Sequence, residues 1–307
     1  MLHRTGDDPY SDVGGGIKET PGMHKIALAA QRVLSAPRWP DEIGTEVWEA
    51  LRGEAFRVLA TQKALRGFIN TTILAHEDFS SALTAHLARK LGDRYLSPER
   101  LEDVIREATA NNPELIETGL RDLMAALARD PAADSYLTPF LYYKGYHALQ
   151  WQRISHWLWN NRQKDIARFL QNRMSEVFAV DIHPAVPIGR GVFIDHATGV
   201  VIGETATIGN DVSILQNVTL GGTGKEQGDR HPKIGDGVLL SVGAKVLGNI
   251  TVGARAKVGA GSIVLKEVPP CATVAGIPAR VVGWCRDVVV APGLSMDQSL
   301  PEPDYTI

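Results

Sequence analysis

From Ile188 to Val264 an aliphatic residue returns at every sixth position, with two interruptions. The series runs Ile188, Ile194, then after a two-residue slip Ile202, Ile208, Ile214 and Leu220, then after a longer break Ile234, Leu240, Val246, Val252, Val258 and Val264. Glycine often follows the aliphatic, as at Gly189, Gly203, Gly209, Gly221, Gly235, Gly253 and Gly259, and four places on sits a small or β-branched residue such as Val192, Ala206, Val212, Val238 or Ala256. A six-residue period is neither helical nor the two-residue alternation of a half-buried strand. It predicts a parallel β-helix, in which each hexad makes one short strand and one turn and stacked coils bury a column of aliphatic side chains. Glycine after the aliphatic is expected to supply the backbone angles of the corner.

From Pro40 to about Val180 the spacing is helical instead. Val47, Leu51, Phe56 and Leu59 form one stripe, Phe68, Ile69, Ile73 and Leu74 another, and Leu83, Leu87 and Leu91 a third. Ser97-Pro98 and Asn112-Pro113 each pair a capping residue with a first-turn proline, and so predict helix starts. The aromatic and histidine-rich stretch from Tyr142 to Phe169, with Tyr146, His147, Trp151, His156, Trp157 and Trp159, reads as helix packing and a subunit interface rather than a ligand box. The fold class is α+β. Residues 1–39 are expected to be a largely disordered extension, 40–180 an α-helical domain, 181–285 the β-helix and 286–307 a flexible tail. The β-helix is expected to end near Pro269-Pro270, with Ala275 to Val282 as a last strand.

Composition narrows the function classes. At 307 residues and 44% hydrophobic content the chain has room for two cores. Formal charge −3 offers no electrostatic case for nucleic acid. No apolar run approaches the roughly 20 residues of a transmembrane helix, and the N-terminus lacks a basic region followed by an apolar one, so a cytoplasmic location is expected. Cys271 and Cys285 are the only cysteines. Two so placed suggest neither a disulfide framework nor a metal cluster, and both are read as ordinary small apolar residues.

Polar residues gather where the repeat breaks: Asp181-Ile182-His183-Pro184 before the coils, Asp195 to Gly199 at the slip, and Gly221 to Lys225 with Gly228 to Lys233 in the long break. Loops thrown out of a rigid scaffold commonly carry function. The GGTGK stretch is not a phosphate-binding P-loop, because it lacks the GxxxxGK[ST] spacing and leads into no helix.

The segments VDIHP (180–184), DHATG (195–199), VTLGGTGK (218–225), GDRHPKI (228–234) and VAGIPAR (274–280) resemble the serine O-acetyltransferase family. So do RDPAADSYLTP (129–139), YKGYHALQ (143–150), HWLW (156–159) and FLQN (169–172) in the helical half. The resemblance implies a left-handed β-helix and transfer of acetyl from acetyl-CoA to the hydroxyl of L-serine. By motif position His196 would be the general base and Asp181 the carboxylate that orients its imidazole. Asp130 and Asp195 would face the serine ammonium, while Arg230 and His231 would hold the carboxylate. Acetyl-CoA would run past Gly222, Thr223, Lys225, Val242 (where the family pattern has alanine) and Ala260.

With no cysteine in the motifs and no serine paired to a base, direct transfer in a ternary complex is expected rather than an acetyl-enzyme. No metal and no permanently bound cofactor are implied. The resemblance further implies a homotrimer, joined as a dimer of trimers, with Arg230 and His231 reaching His196 of a neighbour. It also implies inhibition by L-cysteine and docking of the tail, through Ile307, onto O-acetylserine sulfhydrylase. An acetyltransferase for sugar or xenobiotic hydroxyls, a metal-dependent hydratase on the same coil, and a purely assembling partner are the alternatives.

Overall fold

The computed structural model describes residues 43–224, 226–285 and 290–300; the expectations for residues 1–39, Lys225 and the Asp304 to Ile307 tail lie outside them. The helical part comprises α1 (Ile43–Thr61), α2 (Arg66–Ile69, continued by a π turn to Leu74), α3 (Phe79–Leu91), α4 (Pro98–Asn111), α5 (Glu114–Arg129), α6 (Leu137–Tyr142), α7 (Lys144–Asn160) and α8 (Lys164–Phe178). Their buried faces share one core with the inward residues of the coils. In α1 the apolar stripe is Val47, Trp48, Leu51 and Ala55, not Phe56, which is 55% exposed. Ser97 does precede α4, but Asn112 closes that helix rather than capping the next, which begins after Pro113. Trp151 and Tyr146 are buried in the α7 packing, while Tyr142 is exposed.

The period resolves into a left-handed three-sided prism. Face I stacks Val180–Ile182, Val200–Ile202, Thr219–Gly221, Lys245–Leu247 and Ile263–Val264; face II stacks Thr207–Ile208, Lys233–Ile234 and Thr251–Val252; face III stacks Phe193–Ile194, Ser213–Ile214, Leu239–Leu240, Lys257–Val258 and Ala272–Gly276. The pairings are parallel and join residues three hexads apart: Ile234 with Val252, Leu240 with Val258, Val246 with Val264. The slip and the long break leave this register intact, since Ile194 pairs with Ile214 across the slip and Leu220 with Val246 across the break. The additional residues are expelled at the edges of the prism.

The reason for the glycines differs from the expected one. Those following the aliphatic have no left-handed φ; they are glycine because the next coil presses against them. A Cβ on Gly235 would lie 2.6 Å from the Ala254 nitrogen, and one on Gly253 2.4 Å from that of Pro270. The left-handed corners come two residues later, after faces II and III. They are filled by Gly191, Gly237, Gly243 and Gly261, but also by Ala197, Asp211, Asn217, Arg255 and Cys271.

The C-terminal end departs from expectation in three ways. The stack continues past Pro269-Pro270, because Thr273 and Val274 pair with Lys257 and Val258. The last strand is a hairpin, Ala272–Gly276 against Ala279–Trp284, because Gly276 at φ 99° and Pro278 turn the chain back. Residues 290–300 lie on face III, where the Gly293 carbonyl accepts from Ser213 Oγ at 2.6 Å and Lys257 Nζ donates to the Asp297 and Ser299 carbonyls at 2.9 and 2.7 Å. Cys271 and Cys285 are free and half-buried, side by side at the base of the hairpin rather than in the core.

Two histidines are sealed in the helical core. His86 and His147 meet edge to face at 4.9 Å, and His147 Nε2 donates to the Phe140 carbonyl at 2.7 Å. Burial holds His86 at about 2, with the neighbouring His147 adding to it, and burial holds His147 at about 4. Both are neutral in the fold and regain a pKa of about 6.5 when unfolded. Below that value the unfolded chain binds more protons, so stability is complete above about pH 6.5 and falls as pH drops toward about 4 for His147 and further for His86. Urea melts at about pH 7.5 and about pH 5 should show a clearly lower midpoint at the acid value. Equal midpoints would contradict the sealed, neutral state.

Candidate functional site

Two polar groups stand on two different edges of the prism. The first lies on the edge from face III to face I, at the slip. After Ile194 the chain turns through His196, Ala197 and Gly199 at φ 54°, 61° and 75°. Left-handed conformations of non-glycine residues each cost on the order of 1–3 kcal/mol and persist only where surroundings impose them. Here the loop is pinned by Asp195 N–H to the Ile214 carbonyl, Gly199 N–H to that of Ala179 and Asn217 N–H to that of Thr198, each at 2.8 Å. The result is a His196 side chain 69% exposed, pointing away from the packed coil. Gln216, Val242 and Ala260 occupy the same place in successive coils, so His196 heads a column along this edge.

The helical part closes over the same edge. Gly145, at the start of α7, approaches so closely that a Cβ would fall 2.0 Å from the Ile194 carbonyl oxygen. This contact sets Tyr143 and Lys144 beside the loop, where Lys144 Nζ donates to Thr198 Oγ1. Arg129, buried at the end of α5, donates to Ser213 Oγ at 3.1 Å and Asp211 Oδ1 at 3.2 Å, tying the next residue, Asp130, to face III. Asp130 Oδ1 accepts the Ala132 N–H at 2.8 Å, and its carboxylate also receives the Tyr143 hydroxyl. Burial, followed by the hydrogen bond to Asp130 and then the charges of Asp130 and Asp195, pushes the Tyr143 hydroxyl well up, so it stays a donor. Burial likewise raises Asp195, with His196 opposing and Asp130 reinforcing the shift. Asp130, Asp195, His196, Tyr143 and Lys144 line a cavity of about 650 Å³, to which Met296 and Gln298 add one wall.

The second group lies on the edge from face I to face II, where the long break loops out. Arg230 Nη2 donates to Glu204 Oε2 at 2.9 Å and Nη1 to the Gly228 carbonyl at 3.0 Å. Thr205 Oγ1 accepts the N–H groups of Arg230 and His231 at 3.0 and 3.1 Å. The Thr205 N–H, at 3.2 Å, points at His231 Nδ1, which therefore accepts and leaves the ring proton on Nε2. Burial, with Arg230 and Lys233 nearby, lowers His231 and keeps it neutral. The ring lies against Gly203, where a Cβ would sit 2.0 Å from Nε2. Gly222 runs beneath the Arg230 backbone, and Thr223 beside it is exposed.

Asp181 is on face I between these edges. Its Oδ1 accepts from Gln171 Nε2 of α8 at 2.7 Å, and it neighbours His183, whose Nδ1 accepts the Ala185 N–H. Among the described residues no hydrogen bond joins Asp181 to His196, whose nearest ionic partner is Asp195 at 3.7 Å. Nor does any contact join Arg230 or His231 to His196; within one chain the two groups are held a face apart. Val242 is half-buried and Ala260 exposed on the His196 edge, whereas Gly222 and Thr223 belong to the Arg230 edge.

Sequence reasoning passed over Tyr143, Lys144, Glu204, Thr205 and Gln171. Two of these stood inside the YKGYHALQ motif, and Glu204 occupies in its hexad the place that His196 takes in its own. Among the described residues no cluster of His, Cys, Asp or Glu suits a metal ion, and no helix is long and apolar enough to cross a membrane.

Comparison with known proteins gives one answer. A family model described as serine acetyltransferase, N-terminal, matches residues 47–151. The serine acetyltransferase of Escherichia coli strain K12 is 53% identical over 260 residues, 85% of this chain and 94% of that protein. A solved serine acetyltransferase in complex with cysteine superposes with a TM-score of 0.81 at 48% identity, covering 84% of this chain and 100% of the other. Another, in complex with CoA, gives 0.75 at 49% identity, covering 78% and 100%.

Proposed function

The chain belongs to the serine acetyltransferase family, and from that premise we propose that its two edge groups form one site between adjacent subunits. The reaction is transfer of acetyl from acetyl-CoA to the hydroxyl of L-serine, giving O-acetyl-L-serine and CoA. His196 takes the hydroxyl proton as the oxygen attacks the thioester carbonyl, then returns a proton to the departing CoA sulfur. Asp181 holds the imidazole of the assembled site by its other nitrogen and steadies the imidazolium. Asp130 and Asp195 receive the serine ammonium; Arg230, braced by Glu204, and neutral His231 receive the carboxylate.

The observation that carries this reading is the separation of the groups. An anionic pair beside an exposed histidine sits on one edge, and a cation beside a neutral imidazole sits on the next. A zwitterion with a hydroxyl needs all of them at once. A threefold arrangement of three-sided prisms brings one edge of each copy against the other edge of its neighbour, which supports a homotrimer; pairing of trimers through the helices is the further expectation. The same edges would hold CoA, with Val242 and Ala260 from one subunit and Gly222, Thr223 and Lys225 from the next. Val242 narrows that groove relative to alanine.

L-Cysteine, which replaces the hydroxyl by a thiol, fits the same ammonium and carboxylate groups and would compete with serine there. The complex of a homologous enzyme with cysteine supports this. A cytoplasmic site of action, and O-acetylserine sulfhydrylase as a partner bound through Ile307, complete the proposal.

Release of free CoA from acetyl-CoA, with L-serine or a sugar as acceptor, tests the function; release with the sugar alone would refute it. Gly203→Ala tests the carboxylate end. The new methyl group must displace the His231 ring, so KM for serine should rise about tenfold or more, as loss of a charge-assisted contact predicts, with a smaller effect on kcat. An unchanged KM would remove His231 from the serine site.

A further inference from the structure

The only two cysteines of the chain, outside every motif, face each other at the base of the terminal hairpin. The antiparallel register that opposes Ala272 to Trp284 makes Cys271 and Cys285 the next pair, and the Cys285 N–H donates to the Cys271 carbonyl at 2.8 Å. Opposed residues of antiparallel strands have Cα atoms about 4.5–5.5 Å apart, inside the roughly 4.4–6.8 Å span of a disulfide. The side chains also meet: the Cys285 thiol is hydrogen-bonded to that of Cys271 and lies 3.5 Å from the Arg255 carbonyl. Both are reduced and half-buried, so solvent reaches them.

We propose that Cys271 and Cys285 form an oxidisable dithiol, a modification site for small hydroperoxides. In the first step one thiolate attacks the peroxide oxygen. The O–O bond breaks, the alcohol (or water, from hydrogen peroxide) leaves, and a sulfenic acid remains. In the second step the other thiol attacks the sulfenic sulfur and water leaves. Two thiols and one hydroperoxide thus give one disulfide, one alcohol and one water. Burial, followed by the hydrogen bond to Cys271, raises the Cys285 thiol and keeps it protonated, which suits it to the second, resolving role. Cys271 adopts a left-handed φ of 63° and its N–H is bonded to the Ala254 carbonyl of the coil below. The bridge would therefore fasten the hairpin where the chain departs toward residues 290–300, which help to line the 650 Å³ cavity.

Trypsin makes the test direct, because cutting after Lys266, Arg280 and Arg286 puts the two cysteines on separate peptides, 267–280 and 281–286. The full-length protein is treated with hydrogen peroxide, alkylated, digested without reductant and analysed by mass spectrometry. The expected result is one species joining the two peptides, formed with loss of both titratable thiols and reversed by dithiothreitol. Cys285→Ser should yield no joined species and should instead be labelled by dimedone at Cys271. The proposal fails if both peptides are recovered as free thiols or as separately oxidised forms. It fails equally if the joined species link Cys271 to Cys271 or Cys285 to Cys285 of different chains.

Discussion

Replacing His196 by asparagine should lower serine-dependent CoA release by about 10²- to 10⁴-fold, the usual value of a general base. Asparagine tolerates the left-handed backbone at this position, and the exposed imidazole packs against little, so the melting temperature should stay within a degree or two of wild type. A variant that kept more than about a tenth of wild-type kcat would remove His196 as the base. The same variant tests the shared site. Arg230→Ala should also be nearly inactive, because the serine carboxylate loses its cation. If each site draws His196 from one subunit and Arg230 from the next, dissociating and reassembling the two inactive variants together must produce some sites with both residues intact. Activity recovered on mixing, and absent from either variant alone, is the expected outcome. Failure to recover, with mixed oligomers demonstrated by mass, would place both groups in a single subunit's site or outside it.

Loss of either partner of the Asp122–Arg153 pair should be the most destabilising single change away from the site. Asp122, from α5, is fully buried and accepts from Arg153 Nε at 2.9 Å and Nη2 at 3.2 Å, from Gln150 Nε2 at 3.0 Å and from the Val192 N–H at 3.0 Å. Arg153, from α7, goes on to the carbonyls of Ile188 and Gly189 at 2.9 and 2.6 Å. The cluster bolts two helices to the first coil. Burial raises the Asp122 carboxyl, and Arg153 opposes that shift; with four donors converging on it we hold it ionised at neutral pH. Arg153→Met strands a buried carboxylate and two carbonyls, and should cost about 3–5 kcal/mol, a fall in melting temperature of roughly 10 °C. The double variant Asp122→Leu, Arg153→Met should lose less than the two single variants together, because no charge is left unpaired. Strict additivity in thermal melts would show that the two side chains do not act as a pair.

Much of the site was legible before the structure because it coincides with irregularities in a regular pattern. A six-residue period announces its own interruptions, and His196, Arg230 and His231 stand in the two places where it fails. The residues that serve them were less visible. Glu204 braces Arg230 from a position that looks like any other polar place in a hexad, and Thr205 hydrogen-bonds both Arg230 and His231 with nothing in the local sequence to mark it. The glycines that follow an aliphatic suggest corners from the sequence; they are contact residues, which only the spacing between coils reveals.

The sequence alone determined the coil and the location of its breaks, because a six-residue period is neither helical nor alternating and is met by short strands stacked in successive coils. It also determined the helical nature of the first half, through apolar stripes at helical spacing. Tertiary structure alone decided which edge of the prism each break occupies, that α7 presses Gly145 onto the His196 loop, that Asp122 and Arg153 meet, and that the two cysteines face each other. These relations join residues whose separation follows no period. They depend on shape and burial across surfaces that come together only once the coil and the helices have formed, and a linear pattern carries no record of them.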